Sequence, residues 1–384
     1  MTGAPAPEEL PAAPGSFDDL PAALRTPLTE LTGVRYPIVQ TGMGWVSGAR
    51  LTAATAKAGG LGIIASSTMS IAELRQAIHE VKERTDAPFG VNIRSDAADA
   101  GERVDLMIAE GVKVASFALA PKKELIAKLK DAGIVCMPSV GAKRHAEKVA
   151  SWGADLVMVQ GGEGGGHTGA VPTSLLVPQV VDAVDIPVVA AGGFFDGRGL
   201  IAALAYGAVG IGMGTRFLLT SDSTVAVQVK QRYLDADVNG TVVTTRVDGM
   251  PHRVLRTELV DHLEKATPLT RLPRSLRNAA AFKKESGASW AGLLRDGRSM
   301  KHASDLDWSQ VLMAANTPML LKASMVDGRP DLGLMTSGQV AGLIDDLPSA
   351  DELITRIIND AVAVLSRLGV PSGATQLTGA SSPA

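Results

Sequence analysis

Short apolar runs recur along the chain: YPIVQ from Tyr36, LGIIASS from Leu61, FGVNIR from Phe89, VKVASFAL from Val112, IVCMPSV from Ile134, DLVMVQG from Asp155, IPVVAAGG from Ile186 and VGIGMGTRFL from Val209. Each is continuous rather than alternating, which suits a strand covered on both faces, as in a parallel sheet. Between the runs lie helical patterns. In 70–84, Ser70 and Glu73 have capping-box spacing, and Ile71, Leu74, Ile78 and Val81 share one helical face. Segments 122–133 and 144–153 close on Ala-Gly and Trp-Gly before the next apolar run, as helices with a C-terminal glycine do. Eight strand–helix units in succession predict an α/β fold of the TIM (β/α)8 barrel type rather than an open doubly wound sheet.

The rhythm stops near Leu219. Residues 25–224 are therefore expected to form the barrel and 225–335 an added, mainly helical region covering the substrate. Residues 336–370, with Leu353, Ile354, Ile357 and Ile358 at helical spacing, should form C-terminal helices packing back on it. The tails 1–24 and 371–384 are rich in Pro, Ala, Gly and Ser and are expected to be disordered.

Composition narrows the classes. The net charge of −3 offers no global attraction to nucleic acid or an anionic membrane, so no nucleic-acid partner is expected. The single cysteine, Cys136, lies in an apolar run and fits a buried thiol in a reducing compartment, with cytoplasm the default. No leader pattern and no spanning apolar run are present.

The strand ends carry the chemistry. They read Gln40-Thr41-Gly42-Met43-Gly44, Ala65-Ser66-Ser67, Asn92, Ser139-Val140-Gly141, Gln160 to His167, Gly192-Gly193 and Gly212-Met213-Gly214-Thr215. On a barrel these converge on one face, and loops after the seventh and eighth strands commonly hold a phosphate there. No acidic fingerprint of a dinucleotide fold follows a first strand, which leaves a phosphate-bearing ligand in a barrel. FMN is a candidate, with Asn92 and Gln160 as amide partners for a flavin ring. A barrel using the same phosphate site without redox chemistry is the alternative.

VQGGEGGGHTG, from Val159 to Gly169, strips side chains from a segment while keeping Gln160, Glu163 and His167. Bare backbone of this kind implies a close approach, and His167 is the candidate proton-transfer group. His79, His145, His252, His262 and His302 show no paired ligand spacing, so no metal site is expected. No GxSxG elbow is present.

QGGEGGGHTG resembles the QGxEAGGHxG motif of the nitronate monooxygenase (2-nitropropane dioxygenase-like) flavoproteins, with AAGG and MGTRF at the expected distances. TGMGW at 41–45, GVNI at 90–93 and SGQVAG at 337–342 are similar to further family segments, so the resemblance runs from about Thr26 to Leu368. It implies a TIM barrel binding FMN, with Gly42, Met43, Asn92, Gln160, Gly165, Gly166, Gly192, Gly193, Gly214 and Thr215 as cofactor contacts and His167 as the catalytic histidine. Gly164 departs from the family's usual alanine, and Gly44-Trp45 and Thr257 from other common choices.

Segments such as NIRSDAADAGERV, VTTRVDGMPHRVLRTELV and WSQVLMAANTPMLLKA resemble one actinobacterial branch of the family. That branch acts on the CoA thioester of a steroid-derived hydroxy-methylindanone carboxylate. The likeness implies an FMN-dependent oxidoreductase working on a ring carbon–carbon bond beside a CoA thioester, with NAD(P)H as electron donor or acceptor. The alternative is a nitronate monooxygenase using O2. A homo-oligomer is compatible with either. Residues 271–303 hold eight Lys or Arg against two acidic groups, which suits CoA phosphates as well as a solvated helix face. Trp290, Leu293, Leu294 and Trp308 can wall an acyl group or sit in a core.

Overall fold

A computed structural model describes residues 20–118, 121–265, 317 and 319–370. Six of the predicted runs give β1 (Ile38–Gln40), β2 (Leu61–Ala65), β3 (Phe89–Arg94), β4 (Val114–Ala118), β5 (Val135–Val140) and β6 (Val157–Gln160). A two-residue strand outside the barrel, β7 (Gly166–His167), follows, and the last two runs give β8 (Val188–Ala191) and β9 (Ile211–Met213). The eight barrel strands are all parallel and close in the order β1-β2-β3-β4-β5-β6-β8-β9. The seam is β1 on β9, with Ile38 opposite Ile211 and Gln40 opposite Met213. The expected TIM barrel is the observed fold.

The composition of the runs explains the closure. β2 is buried at every position, and Val39, Ile63, Val114, Met137, Met158 and Val189 form one interior cluster. Gln40 is a fully buried polar exception. Its amide donates to Ser47 Oγ at 2.9 Å and Ile63 O at 3.2 Å, so the group is satisfied and ties β1 to the following loop.

The helix Ile71–Arg84 opens on the predicted box: Ser70 N–H donates to Glu73 Oε2 at 2.7 Å, and Glu73 N–H donates to Ser70 Oγ at 3.3 Å. Helices Lys123–Asp131 and Lys143–Ser151 are followed by Gly133 and Gly153 at φ +73° and +91°, the left-handed closure their sequences imply. Cys136 is buried in β5, and burial, assisted by nearby Asp155, pushes its thiol up to about 12, which keeps it unreactive.

Beyond β9 the region expected to be mainly helical also contains strands. After the helix Val227–Leu234 comes a hairpin of β10 (Thr241–Thr244) and β11 (His252–Leu255), then the helix Glu258–Lys265. β11 also pairs antiparallel with β7, His252 opposite His167 and Arg253 opposite Gly166, giving a three-stranded sheet β10-β11-β7. The β-branched run TVVT suits a strand, but HRVL holds one β-branched residue and strands this short have no measurable period.

The C-terminal helical pattern is also interrupted. A 3-10 turn spans Gln339–Leu343, and the α-helix starts only at Ala350, after Pro348, with Ser349 and Glu352 as capping box. That helix, Ala350–Arg367, packs on the barrel helix Gly197–Ala205 and buries Leu353, Ile354, Ile357 and Ile358. The crossing needs a bare Gly197, because a Cβ there would collide with Ala361 N and Ile357 O. Gly197→Ala should therefore cost roughly 1–3 kcal/mol, as overpacking does, measurable as a lower denaturant midpoint. An unchanged midpoint would contradict this account of the crossing.

Leu20 and Leu24 are buried in the main core, so the chain joins the fold a few residues before the predicted boundary at residue 25. The basic segment 271–303, Trp290, Leu293, Leu294 and Trp308 lie outside the described residues, as does the tail 371–384. Among the described residues no helix is long and apolar enough to cross a membrane.

Candidate active site

The strand-end residues occupy one end of the barrel because all eight strands run parallel. Their side chains interlock in pairs. Gly42 faces Asn92, whose Cβ would lie 2.5 Å from any Cβ at 42, and Asn92 Nδ2 donates to Ser116 Oγ at 3.1 Å. Asn92 thus sits within β3 as a lining amide rather than as a helix cap. Gly214 lies against Thr41 and Met43, with 3.4 Å between a Cβ there and the Met43 sulfur. Gly192 and Gly193 follow β8 with φ +101° and +83°, two successive left-handed residues that present bare backbone at the mouth.

The glycine run proves to be packed largely by the protein itself. The Gln160 side chain lies across Gly164, at 2.6 Å from where a Cβ would be, and its Nε2 donates to Gly165 O at 3.2 Å and His167 O at 2.9 Å. The departure from alanine at 164 is what lets Gln160 fold over the loop in this arrangement. A Cβ at Gly165 would lie 2.6 Å from Gly338 N, because the Ser337-Gly338 backbone rests on it. Gly338 N–H donates to Thr215 Oγ1 at 2.9 Å, and Gln339 N–H to Glu163 O at 2.9 Å. The close approach inferred from the bare backbone is therefore met, at 164 and 165, by the chain's own atoms.

Glu163 anchors the run from below. Its Oε2 accepts the Thr173 N–H at 2.9 Å and the Thr173 hydroxyl at 2.6 Å, placing a carboxylate at the N-terminus of helix Thr173–Val181. From above, the Arg253 guanidinium donates to Gly162 O at 2.9 Å and to Thr241 Oγ1 at 2.8 Å. The glycines keep the segment slim, and its neighbours fix it.

His167 stands on β7 with its side chain 46% exposed. Its Nε2 lies 2.6 Å from Asp248 Oδ2, a partner on the loop between β10 and β11. Asp248 Oδ1 accepts the Met250 N–H at 3.1 Å. Burial alone would raise the Asp248 carboxyl, but hydrogen bonding to His167, the nearby His252 imidazole and the Met250 N–H outweigh it and hold the group well below the usual carboxylate range. An ionised carboxylate on Nε2 fixes that nitrogen as the donor and leaves Nδ1 as the basic atom.

His252 is buried beside this pair, its ring centroid 4.7 Å from that of His167 and tilted by 55°. Its Nε2 meets Thr336 Oγ1 at 3.1 Å, while its Nδ1 has no hydrogen-bond partner and lies 3.8 Å from Asp248 Oδ2. The reading that His252 has no paired ligand spacing is corrected here: Asp248 stands four residues before it, and hairpin pairing brings both to His167.

The sequence profile of the nitronate monooxygenase family matches residues 25–105 and 97–360. The chain belongs to the nitronate monooxygenase family. Within it, the chain is 66% identical over 345 residues to the (3aS,4S,5R,7aS)-5-hydroxy-7a-methyl-1-oxo-octahydro-1H-indene-4-carboxyl-CoA dehydrogenase of Mycobacterium tuberculosis, covering 89% of this chain and 97% of that one. It is 62% identical over 348 residues to the enzyme of the same name from Rhodococcus jostii, covering 91% and 99%. The solved structure of FabK from Thermotoga maritima superposes with a TM-score of 0.72 at 35% identity, covering 90% of this chain and 98% of that one. Like its relatives in the nitronate monooxygenase family, the chain is an oxidoreductase. Asp248, His252, Arg253 and Ser337-Gly338 lie in segments that the sequence marks as resembling the family, but their roles arise only where distant segments meet.

Proposed function

We propose that the protein is an FMN-dependent oxidoreductase acting on the ring carbon–carbon bond beside the CoA thioester of a steroid-derived hydroxy-methylindanone carboxylate. The observation that carries the proton-transfer part is the half-exposed His167 held by an ionised Asp248 at the barrel mouth. Similarity above 60% along nearly the whole length of two dehydrogenases of that thioester supports the substrate. NAD(P)H is the proposed partner that completes the redox cycle, in a cytoplasmic protein.

The residues present fit FMN. Consecutive left-handed Gly192 and Gly193, with Gly214 and Thr215 at the uncapped start of a short helix, offer backbone donors for its phosphate. Gly42, Met43, Asn92, Gln160 and the Gly165-Gly166 backbone would border its ring. When bound, the flavin supplies reversible hydride transfer to or from a carbon of the substrate.

The chain's own part is proton handling and positioning. In the dehydrogenase direction His167 Nδ1 takes the proton α to the thioester carbonyl while the β hydrogen departs as hydride, leaving a C=C conjugated with the thioester. Asp248 stabilises the imidazolium so formed and fixes which nitrogen acts. Gln160 keeps His167 at its station by holding its carbonyl.

Anaerobic titration of the yellow, purified protein tests the reading. Bleaching by the saturated thioester and reoxidation by NAD(P)+ are expected. Oxygen consumption with an alkyl nitronate, without any thioester response, would instead favour a nitronate monooxygenase, and a colourless protein that takes up no FMN would refute both. Asp248→Asn should retain flavin and lower kcat by roughly 10–10³, less than the loss for a fully buried triad carboxylate because His167 is half exposed. Unaltered kcat would remove Asp248 from the mechanism.

A further inference from the structure

The orphaned Nδ1 of His252 asks for an explanation. Its side chain is only 5% exposed, it finds no donor or acceptor, and unpaired buried polar atoms are costly. It points toward Asp248 Oδ2, which also binds His167 Nε2. One ligand atom from each of these three side chains lies within 4.8 Å of the other two.

We infer that His167, Asp248 and His252 form a binding site for a borderline divalent cation of the zinc, cobalt and nickel class. Two imidazoles and one carboxylate are a donor set such ions favour over magnesium or calcium. Bonds of about 2.0–2.1 Å to a tetrahedral ion put ligand atoms about 3.3 Å apart. Here Asp248 Oδ2 is 2.6 Å from one imidazole nitrogen and 3.8 Å from the other, so the required spacing falls between them. His252 is fixed by strand pairing and by Thr336, whereas His167, being half exposed, can open from Asp248 by the missing fraction of an ångström. The ion replaces the proton between His167 Nε2 and Asp248, which moves to His167 Nδ1 so that the ring binds as a neutral imidazole. The fourth position takes water, the open coordination of a site with three protein ligands.

The site is independent of the substrate assignment. One consequence rests on the proposed role of His167: a bound ion removes the proton-transfer group, so metal occupancy and turnover exclude each other.

The test uses the full-length, FMN-loaded protein freed of metal by chelation. Calorimetric titration with Zn2+ is expected to show one ion per chain, and Co2+ to give visible d–d bands of a four-coordinate nitrogen–oxygen site. His167→Ala, which alters an exposed side chain, and His252→Asn should each weaken binding by at least about 10-fold, since even outer-shell changes cost 10–100-fold. His145→Ala, on a barrel helix away from the site, should leave it unchanged. No one-to-one binding, or binding indifferent to His167→Ala, overturns the site. Zinc binding as expected without inhibition of turnover would leave the site standing and count against the catalytic role of His167.

Discussion

His167→Ala is expected to lower thioester turnover by ~10²–10⁴, the usual worth of a placed acid–base group, while NAD(P)H still reduces the bound flavin at its normal rate. The two half-reactions separate because only one moves a proton at carbon. Hydride exchange with a nicotinamide needs the flavin and its pocket, whereas making or breaking the bond α to a thioester needs a base aimed at that carbon. In the proposed mechanism His167 would supply that base, with a half-exposed ring and a carboxylate 2.6 Å from its Nε2. Equal losses in both half-reactions would mean that the substitution damaged the pocket, and full thioester turnover would exclude His167 from the chemistry. The pH dependence has a defined sign. Because the Asp248 carboxyl is depressed in the folded protein, its stabilising pairing is complete above its unfolded value, ~3.9, and is lost only as pH falls through the folded value. Activity changes nearer neutrality therefore do not report Asp248 protonation.

Tyr233→Ala should destabilise the protein by roughly 3–5 kcal/mol, the range for removing a large aromatic from a core. Tyr233 is fully buried in the main core cluster, and burial pushes its phenol up, so it stays neutral at any working pH. Its hydroxyl donates to Thr336 O at 2.8 Å, and the Thr336 side chain meets His252. Tyr233→Phe keeps the ring and loses only that bond, for about 1 kcal/mol. Chemical denaturation of the two variants should thus separate packing from hydrogen bonding. Similar losses in both would place the weight on the Thr336 contact and contradict this division.

The barrel was legible because each strand is a continuous, mostly apolar run, and because Ser70 with Glu73, three residues apart, announces a helix start. The site was legible in its outline. His167, Gln160 and the paired glycines lie at strand ends, which parallel topology must bring together. The partner of His167 was not legible: Asp248 is 81 residues away and meets it through strands of two and four residues. The glycine run shows a different limit. Its composition implies a close neighbour but does not say whether that neighbour is a ligand or the chain's own Ser337-Gly338 backbone.

That late segment has a consequence for biosynthesis. The last barrel strand ends at Met213, yet His167 gains its carboxylate only when residue 248 has been translated, and the glycine loop gains its cover only at residue 338. A chain cut short between residues 213 and 248 would hold every barrel strand but lack the carboxylate that meets His167, and one cut short before 338 would lack the cover of the glycine loop.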